Sequence, residues 1–328
     1  MEGTVTGRVS RADRDRFSVW TDSGEYTAWL RGVFFETGER PVVGDVVEVT
    51  LVPGGDGMIE KILPRKSVLR RADLAGKTEG FAHMAQEQVM VSNIDYAFIL
   101  TSLNENYNIN RIARYVTVTL EGGAVPVVIL TKADLCPDSA PYIAEVRALS
   151  PEVRVHAIST YTGMGLGELE EYLRPDAAVA LLGSSGVGKS TLVNRLAGTE
   201  LMRTGDIREK DGKGRHTTTA RQMFVLENGL TLIDTPGMRE LGLLDAESGV
   251  RETFPDIEAL AAQCRYSNCS HYKEPGCAVR AAIESGELDK KRWKLYRQLM
   301  DESQRNTDMK AIAKERRRLN KSSNRREW

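Results

Sequence analysis

Three short segments, and the order in which they occur, constrain this chain more than any other feature. Thr131-Lys132-Ala133-Asp134 comes first, Gly183-Ser184-Ser185-Gly186-Val187-Gly188-Lys189-Ser190 second, and Asp234-Thr235-Pro236-Gly237 third. The second fits G-x-x-x-x-G-K-[ST] at every position. It follows an apolar run and leads into a helical one beginning at Thr191, the context that turns the pattern into a phosphate-binding loop. Small residues there let backbone N–H groups turn inward around a β-phosphate at a helix N-terminus. Lys189 is placed to bridge the β- and γ-phosphates, and the Ser190 hydroxyl to hold magnesium. In the third segment Asp234 is expected to hold magnesium through water, and the Gly237 amide to face the γ-phosphate. In the first, the Asp134 carboxylate can accept hydrogen bonds from guanine N1 and N2, a donor pair that adenine lacks. Lys132 would lie along the base plane. Thr131 stands where Asn is usual, and its hydroxyl can bond fewer groups. Ser159, at the end of the next strand, is placed to offer its backbone to guanine O6. Most GTP-binding domains run phosphate loop, DxxG, then base-reading motif. Here the base-reading segment lies upstream, so either the three are chance matches or a GTPase domain is circularly permuted.

The surrounding pattern favours permutation. Ile94–Leu100, Val125–Leu130, Val153–Ile158 and Ala177–Leu182 read as buried strands, with helical runs over Ile109–Leu120, Ala140–Leu149 and Leu166–Leu173 between them. Such alternation implies a parallel sheet covered by helices on both faces. Ligands then gather at the carboxyl ends of the strands, where all three segments fall. Upstream, short alternating strands within 1–64 suggest a small closed all-β barrel of OB type. Such barrels often bind RNA, and Arg31 and Arg40 are candidate contacts; a purely structural barrel is the alternative. Residues 65–91 read as a basic linker. The expected division is therefore an OB-fold barrel (1–64), a linker (65–91), a permuted P-loop GTPase domain (92–244), a zinc-binding helical domain (245–302) and a basic tail (303–328).

The chain has 328 residues and a net charge of −1, so bulk electrostatics point to no nucleic-acid partner. The distribution says more. Between Lys310 and Arg326 the chain is strongly basic, with Glu315 as its one acid. This is either a solvated, partly disordered tail or a phosphate-backbone contact. With no apolar run near the roughly 20 residues that span a bilayer and no secretory signal, a soluble cytoplasmic protein without membrane contact is expected.

Between the phosphate loop and DTPG lies Gly212-Lys213-Gly214-Arg215-His216-Thr217-Thr218-Thr219, glycine-rich and polar as a switch should be. One threonine of 217–219, Thr218 by preference, would complete the magnesium shell. Many GTPases place Gln after the DxxG glycine to orient the attacking water; here it is Met238, which cannot. His216 is the local candidate for that role. A group supplied by a partner, or a solvent-exposed histidine with no role, are the alternatives. Gly186 stands where potassium-activated GTPases carry Asn, so no potassium requirement is inferred.

Of the four cysteines, Cys136 stands alone. Cys264, Cys269 and Cys277 cluster with His271 as Cys-x4-Cys-x-His-x5-Cys. Three thiolates and an imidazole make a closed tetrahedral zinc set with no open position, hence structural. Reduced cysteines in a small core are the alternative.

Taken together, these motifs resemble the bacterial small-ribosomal-subunit biogenesis GTPase family known as RsgA, over nearly the whole chain. Pro64-Arg65-Lys66-Ser67 with Leu69-Arg70-Arg71 resembles that family's barrel-to-GTPase junction. Gly214–Thr219 resembles its switch, and Cys264-Arg265-Tyr266, Cys269-Ser270-His271 and Glu274-Pro275-Gly276-Cys277 its zinc loop. The resemblance implies a monomer that binds the 30S subunit late in assembly and contacts 16S rRNA through barrel and zinc domain. It further implies GTP hydrolysis to GDP and phosphate in response to the subunit, and help in releasing an assembly factor. Zn²⁺, and Mg²⁺ with GTP, are the implied ions. A GTP-regulated RNA-binding protein with negligible hydrolysis is the alternative.

Overall fold

Apolar residues at alternate positions close the N-terminal segment on itself. In β1 (Gly3–Ala12), β2 (Arg16–Thr21) and β3 (Gly24–Leu30), Val9, Phe17, Val19, Ala28 and Leu30 point inward. The one-turn helix α1 (Val33–Thr37) adds Phe34. Val47 and Val49 of β4 (Val46–Leu51) and Ile59 of β5 (Gly57–Ile62) complete this core. β1 pairs with both β2 and β4, β3 runs parallel to β5, and β5 returns to β4. The five strands form a closed OB-like barrel, as the sequence leads one to expect. The computed structural model describes residues 3–52, 55–73, 86–104, 106–202, 221–235 and 242–324.

The linker reading of 65–91 is corrected. β6 (Val68–Asp73) and β7 (Gln86–Ser92) form a two-stranded antiparallel sheet. Leu69, Met90 and Val91 are fully buried, and the Val68 N–H donates to Gly122 O at 2.8 Å. The apolar runs Val68-Leu69 and Val89-Met90-Val91 carry too little periodicity to read as strands, but their tertiary contacts supply what local pattern lacks.

The central sheet is built as expected. β8 (Tyr96–Ser102), α2 (Ile109–Glu121), β9 (Val125–Thr131), α3 (Ala140–Arg147), β10 (Arg154–Ala157) and β11 (Ala178–Leu182) precede α4 (Lys189–Ala197). β12 (Gln222–Val225) and β13 (Thr231–Asp234) follow. The order is β10-β9-β8-β11-β13-β12, parallel except for β12. The segment before β11 is a 3₁₀ helix, Leu166–Tyr172, rather than an α-helix. One pairing, Arg11 with Gln222, continues the sheet into the barrel.

Barrel and GTPase domain meet at a buried joint. Asp45 is fully buried. It accepts Arg65 Nε and Nη2, each at 2.7 Å, and the Ser92 hydroxyl at 2.5 Å. A charge is tolerated there because it is paired and hydrogen-bonded on every side. Arg8 reaches across to Asn93 O at 2.6 Å, and burial lowers its pKa.

Beyond residue 245 the chain is helical: α5 (Glu247–Thr253), α6 (Pro255–Ala261), α7 (Ala278–Ser285) and α8 (Lys290–Asn324). The tail reading of 303–328 is corrected here, because α8 runs unbroken through its start. Ser303, Asn306 and Ala313 are buried.

Candidate nucleotide and metal sites

The nucleotide motifs meet at the carboxyl ends of β9, β11 and β13, joined by direct hydrogen bonds. The phosphate loop leaves β11 and enters α4 at Lys189. Its first glycine is required: Gly183 has φ 144°, and a Cβ there would lie 2.6 Å from Leu100 O. Lys189 Nζ donates to Gly183 O at 2.6 Å and Ser184 O at 2.9 Å, arching over the loop. Ser185 and Gly186 are exposed, Val187 is buried, and Gly188 precedes the helix that begins with Lys189, Ser190 and Thr191.

Thr131 is buried and its hydroxyl lies 2.7 Å from Val187 O and 3.3 Å from Thr101 O. Having one hydrogen, it donates to Val187 O, the shorter contact. The residue that departs from the usual Asn therefore ties the base-reading strand to the phosphate loop. Lys132 adopts a left-handed conformation, φ 58°, that turns the chain into the 3₁₀ segment Ala133–Leu135 and leaves Asp134 exposed. The Ala133 N–H donates to Ile158 O at 3.1 Å, binding this turn to the loop that follows β10. One expectation is corrected there. The Ser159 N–H already donates to Met164 O at 2.9 Å, and its hydroxyl accepts the Thr162 N–H at 3.1 Å.

Asp234 ends β13 in register with Leu181. The Thr235 hydroxyl donates to Leu181 O at 2.6 Å, fixing the chain as it leaves the strand. His216, the threonines 217–219 with Thr218 among them, Gly237 and Met238 lie outside the described residues.

Cys264, Cys269, His271 and Cys277 bring their ligand atoms within 4.8 Å of one another. The fit to zinc can be tested on distances. Tetrahedral zinc with ordinary bond lengths places two sulfurs about 3.8 Å apart, and sulfur and nitrogen about 3.5 Å apart. Cys264 and Cys277 sulfurs stand 3.9 Å apart, and His271 Nδ1 lies 3.5 Å from each. Burial lowers the His271 pKa, favouring the neutral, ligating imidazole. The loop is braced from outside by Glu274. Its carboxylate accepts the Ser270 hydroxyl at 2.5 Å and the N–H groups of Ser270, Tyr272 and Lys273 at 3.0 Å. The Ser270 hydroxyl first, then the backbone N–H groups of Glu274 itself, Ser270 and Lys273, hold its carboxyl down to about 2. His271 packs edge-on to Trp293 of α8, with ring centroids 5.7 Å apart. The set fits one structural Zn²⁺. Cys136 stands apart; its thiol contacts Asp138 O at 3.2 Å.

Two exposed faces carry aromatic and basic side chains. On the barrel, Trp29 (44% exposed) pairs across the sheet with Arg16 and Met58, and Phe35 is 59% exposed. Arg31 and Arg40 lie on this side but are paired with Glu60 and Asp15. On the zinc loop, the guanidinium groups of Arg265 and Arg297 lie over the rings of Tyr266 and Tyr272. Trp29 could have been found from alternation in β3; the Arg297–Tyr272 contact joins distant segments and had no sequence signal.

Strand order, phosphate loop and base-reading turn define a circularly permuted GTPase domain set between an OB-like barrel and a Cys₃His module. Residues 62–244 match the family described as RsgA GTPase. The chain is 43% identical over 299 residues to Small ribosomal subunit biogenesis GTPase RsgA 2 of Listeria monocytogenes, covering 90% of this chain and 83% of that one. It is 43% identical over 312 residues to the RsgA protein of Streptomyces avermitilis, covering 93% and 81%. YjeQ from Thermotoga maritima superposes with a TM-score of 0.65 at 27% identity, covering 90% of this chain and 97% of that structure. YloQ, described as a circularly permuted GTPase, shares the fold at TM-score 0.63 and 24% identity, covering 93% and 96%. The chain belongs to the RsgA GTPase family.

Proposed function

We propose that this protein binds the 30S subunit late in its assembly, hydrolyses GTP to GDP and phosphate upon it, and promotes release of an assembly factor. The observation that carries the reading is the tying together of base-reading turn, phosphate loop and DTPG strand by Thr131, Ala133 and Thr235. Asp134 and Lys132 hold the guanine; Gly183–Thr191 cradle the phosphates, with Lys189 on the β- and γ-oxygens. Ser190, Asp234 and Thr218 would hold Mg²⁺, and Gly237 would meet the γ-phosphate. Mg²⁺ held there would supply neutralisation of phosphate charge. The Trp29 face of the barrel and the Tyr266–Tyr272 face of the zinc loop have the aromatic and cationic chemistry that contacts rRNA. The protein acts as a monomer in the cytoplasm.

Phosphate release measured with and without 30S subunits tests this reading. Turnover rises with 30S and not with 50S subunits. Flat, near-zero turnover in both leaves the GTP-regulated RNA-binding protein, and stimulation by 50S subunits defeats the proposed role.

Met238 follows the DTPG glycine and cannot orient water, so His216 takes that task. His216→Ala is expected to cut subunit-stimulated turnover by about 10²-fold or more, the scale of general acid–base contributions, with GTP affinity near normal. Unchanged turnover removes His216 from the mechanism.

A further inference from the structure

The strand order sets out the nucleotide site in a line. β11, which carries the phosphate loop, is separated from β9, which carries the base-reading turn, by β8, and β10 lies on the far side of β9. A nucleotide with its phosphates in the loop after β11 and its guanine at Asp134 therefore ends with its base beside the loop that follows β10, residues 159–165. Two contacts keep that loop against the site. The Ala133 N–H, next to Asp134, donates to Ile158 O at 3.1 Å. Gly163 lies beside α4, the helix that the phosphate loop opens, and a Cβ there would stand 3.8 Å from Arg195 Nη2.

The backbone of this loop is closed upon itself. The Ser159 N–H donates to Met164 O and the Gly163 N–H to Ser159 O, each at 2.9 Å. The Thr162 N–H donates to the Ser159 hydroxyl at 3.1 Å. Gly165, at φ 72°, brings the chain back against its own strand so closely that a Cβ would lie 2.3 Å from Ala157 O. At the tip of the turn stands Tyr161, 90% exposed. A ring left in water contributes no burial to folding. Its loop is already ordered, so covering the ring with a ligand costs little conformational entropy.

Guanine is flat and aromatic, with two faces as well as an edge. Asp134 meets the edge, and the apolar stem of Lys132 lies along one face. Sites for such ligands are lined mainly by apolar and aromatic side chains, and the second face needs a cover of that kind. The loop beside the base supplies one aromatic ring.

We propose that Tyr161 is a nucleotide-binding residue that stacks on the face of guanine opposite Lys132. This rests on the GTPase reading of the site.

Stacking has a signature that hydrogen bonding lacks: every base has a π-face, so it is tolerant of base identity. The test titrates the full-length protein with GDP and with inosine diphosphate, which lacks the 2-amino group. In Tyr161→Ala both affinities are expected to fall by the same factor, about 5- to 150-fold, the range of base–aromatic stacking. The preference for GDP over inosine diphosphate stays as it was. Tyr161→Phe, which keeps the ring, retains most of the affinity for both. Unfolding curves of nucleotide-free Tyr161→Ala and unmodified protein superimpose, because the exposed ring supports no packing. Unchanged GDP affinity in Tyr161→Ala overturns the proposal, and weaker binding to 30S subunits in that same variant would make the ring a contact for the subunit instead. A loss confined to GDP, a Phe variant as weak as Ala, or a shifted unfolding curve overturns it as well. If the unmodified protein binds neither nucleotide, the GTPase reading itself fails, a separate result.

Discussion

An Asp134→Asn variant is expected to lose guanine-nucleotide affinity by about 10²- to 10⁴-fold, two charge-assisted hydrogen bonds at roughly 1.5–3 kcal/mol each. It should gain affinity for xanthine nucleotides. The carboxylate accepts from guanine N1 and N2. An amide in its place turns a donor toward the guanine amino group, where donor meets donor. Xanthine carries a carbonyl at that position, which the amide N–H can meet. The fold should not change. Asp134 is exposed, and the turn that carries it is held by backbone and by Thr131, not by its own side chain. Its thermal stability should shift by no more than about 0.5 kcal/mol, as at other exposed sites. Titration with fluorescent GDP and xanthosine diphosphate decides the matter. Undiminished GDP affinity would remove Asp134 from the base site.

The second large effect is expected at the metal. Cys277→Ser should lower bound zinc from about one ion per chain to almost none. It should also destabilise residues 255–300 by several kcal/mol, since metal affinity at such a site is folding free energy, about 10–16 kcal/mol in isolated zinc-finger peptides. Cys277 carries two duties at once. It is a ligand, and its sulfur caps α7 by accepting the Arg280 N–H at 3.4 Å. Serine retains a cap, so the loss reports on the metal. The effect should spread into the first turns of α8 through the His271–Trp293 contact and the stack of Trp293 on Tyr296. Because this chain has several domains, one melting temperature will not describe it. Metal analysis with hydrogen exchange over 255–300 is the appropriate measurement. A zinc-free variant with native protection in that region would show that the four residues need no ion.

The nucleotide site was legible in the sequence because its chemistry is local. A phosphate loop needs small residues, Lys189 and Ser190 within one turn, and apolar runs such as Ala178–Leu182 announce buried strands without help from distant partners. The zinc ligands were legible for the same reason. What the sequence does not carry depends on contacts between distant segments. Nothing in the local pattern around Asp45 marks it, and only Arg65 and Ser92 make it a buried joint. Val68-Leu69 and Val89-Met90-Val91 are too short to signal strands on their own. Ser303, Asn306 and Thr307 look like the polar side of a solvated tail, yet they satisfy the backbone of 242–246, a task no periodicity records. Ser159 follows its strand as the pattern predicts, but its amide is committed to the Met164 carbonyl.

The pairing of Arg11 with Gln222 has one more consequence. β12 is the last strand of the GTPase sheet on its side, and a strand in that place normally presents unpaired N–H and C=O groups that recruit other chains. Here β1 of the barrel lies against it. The barrel thus shields a sticky margin of its neighbour, and the GTPase domain severed from it would carry a raw edge inviting self-association.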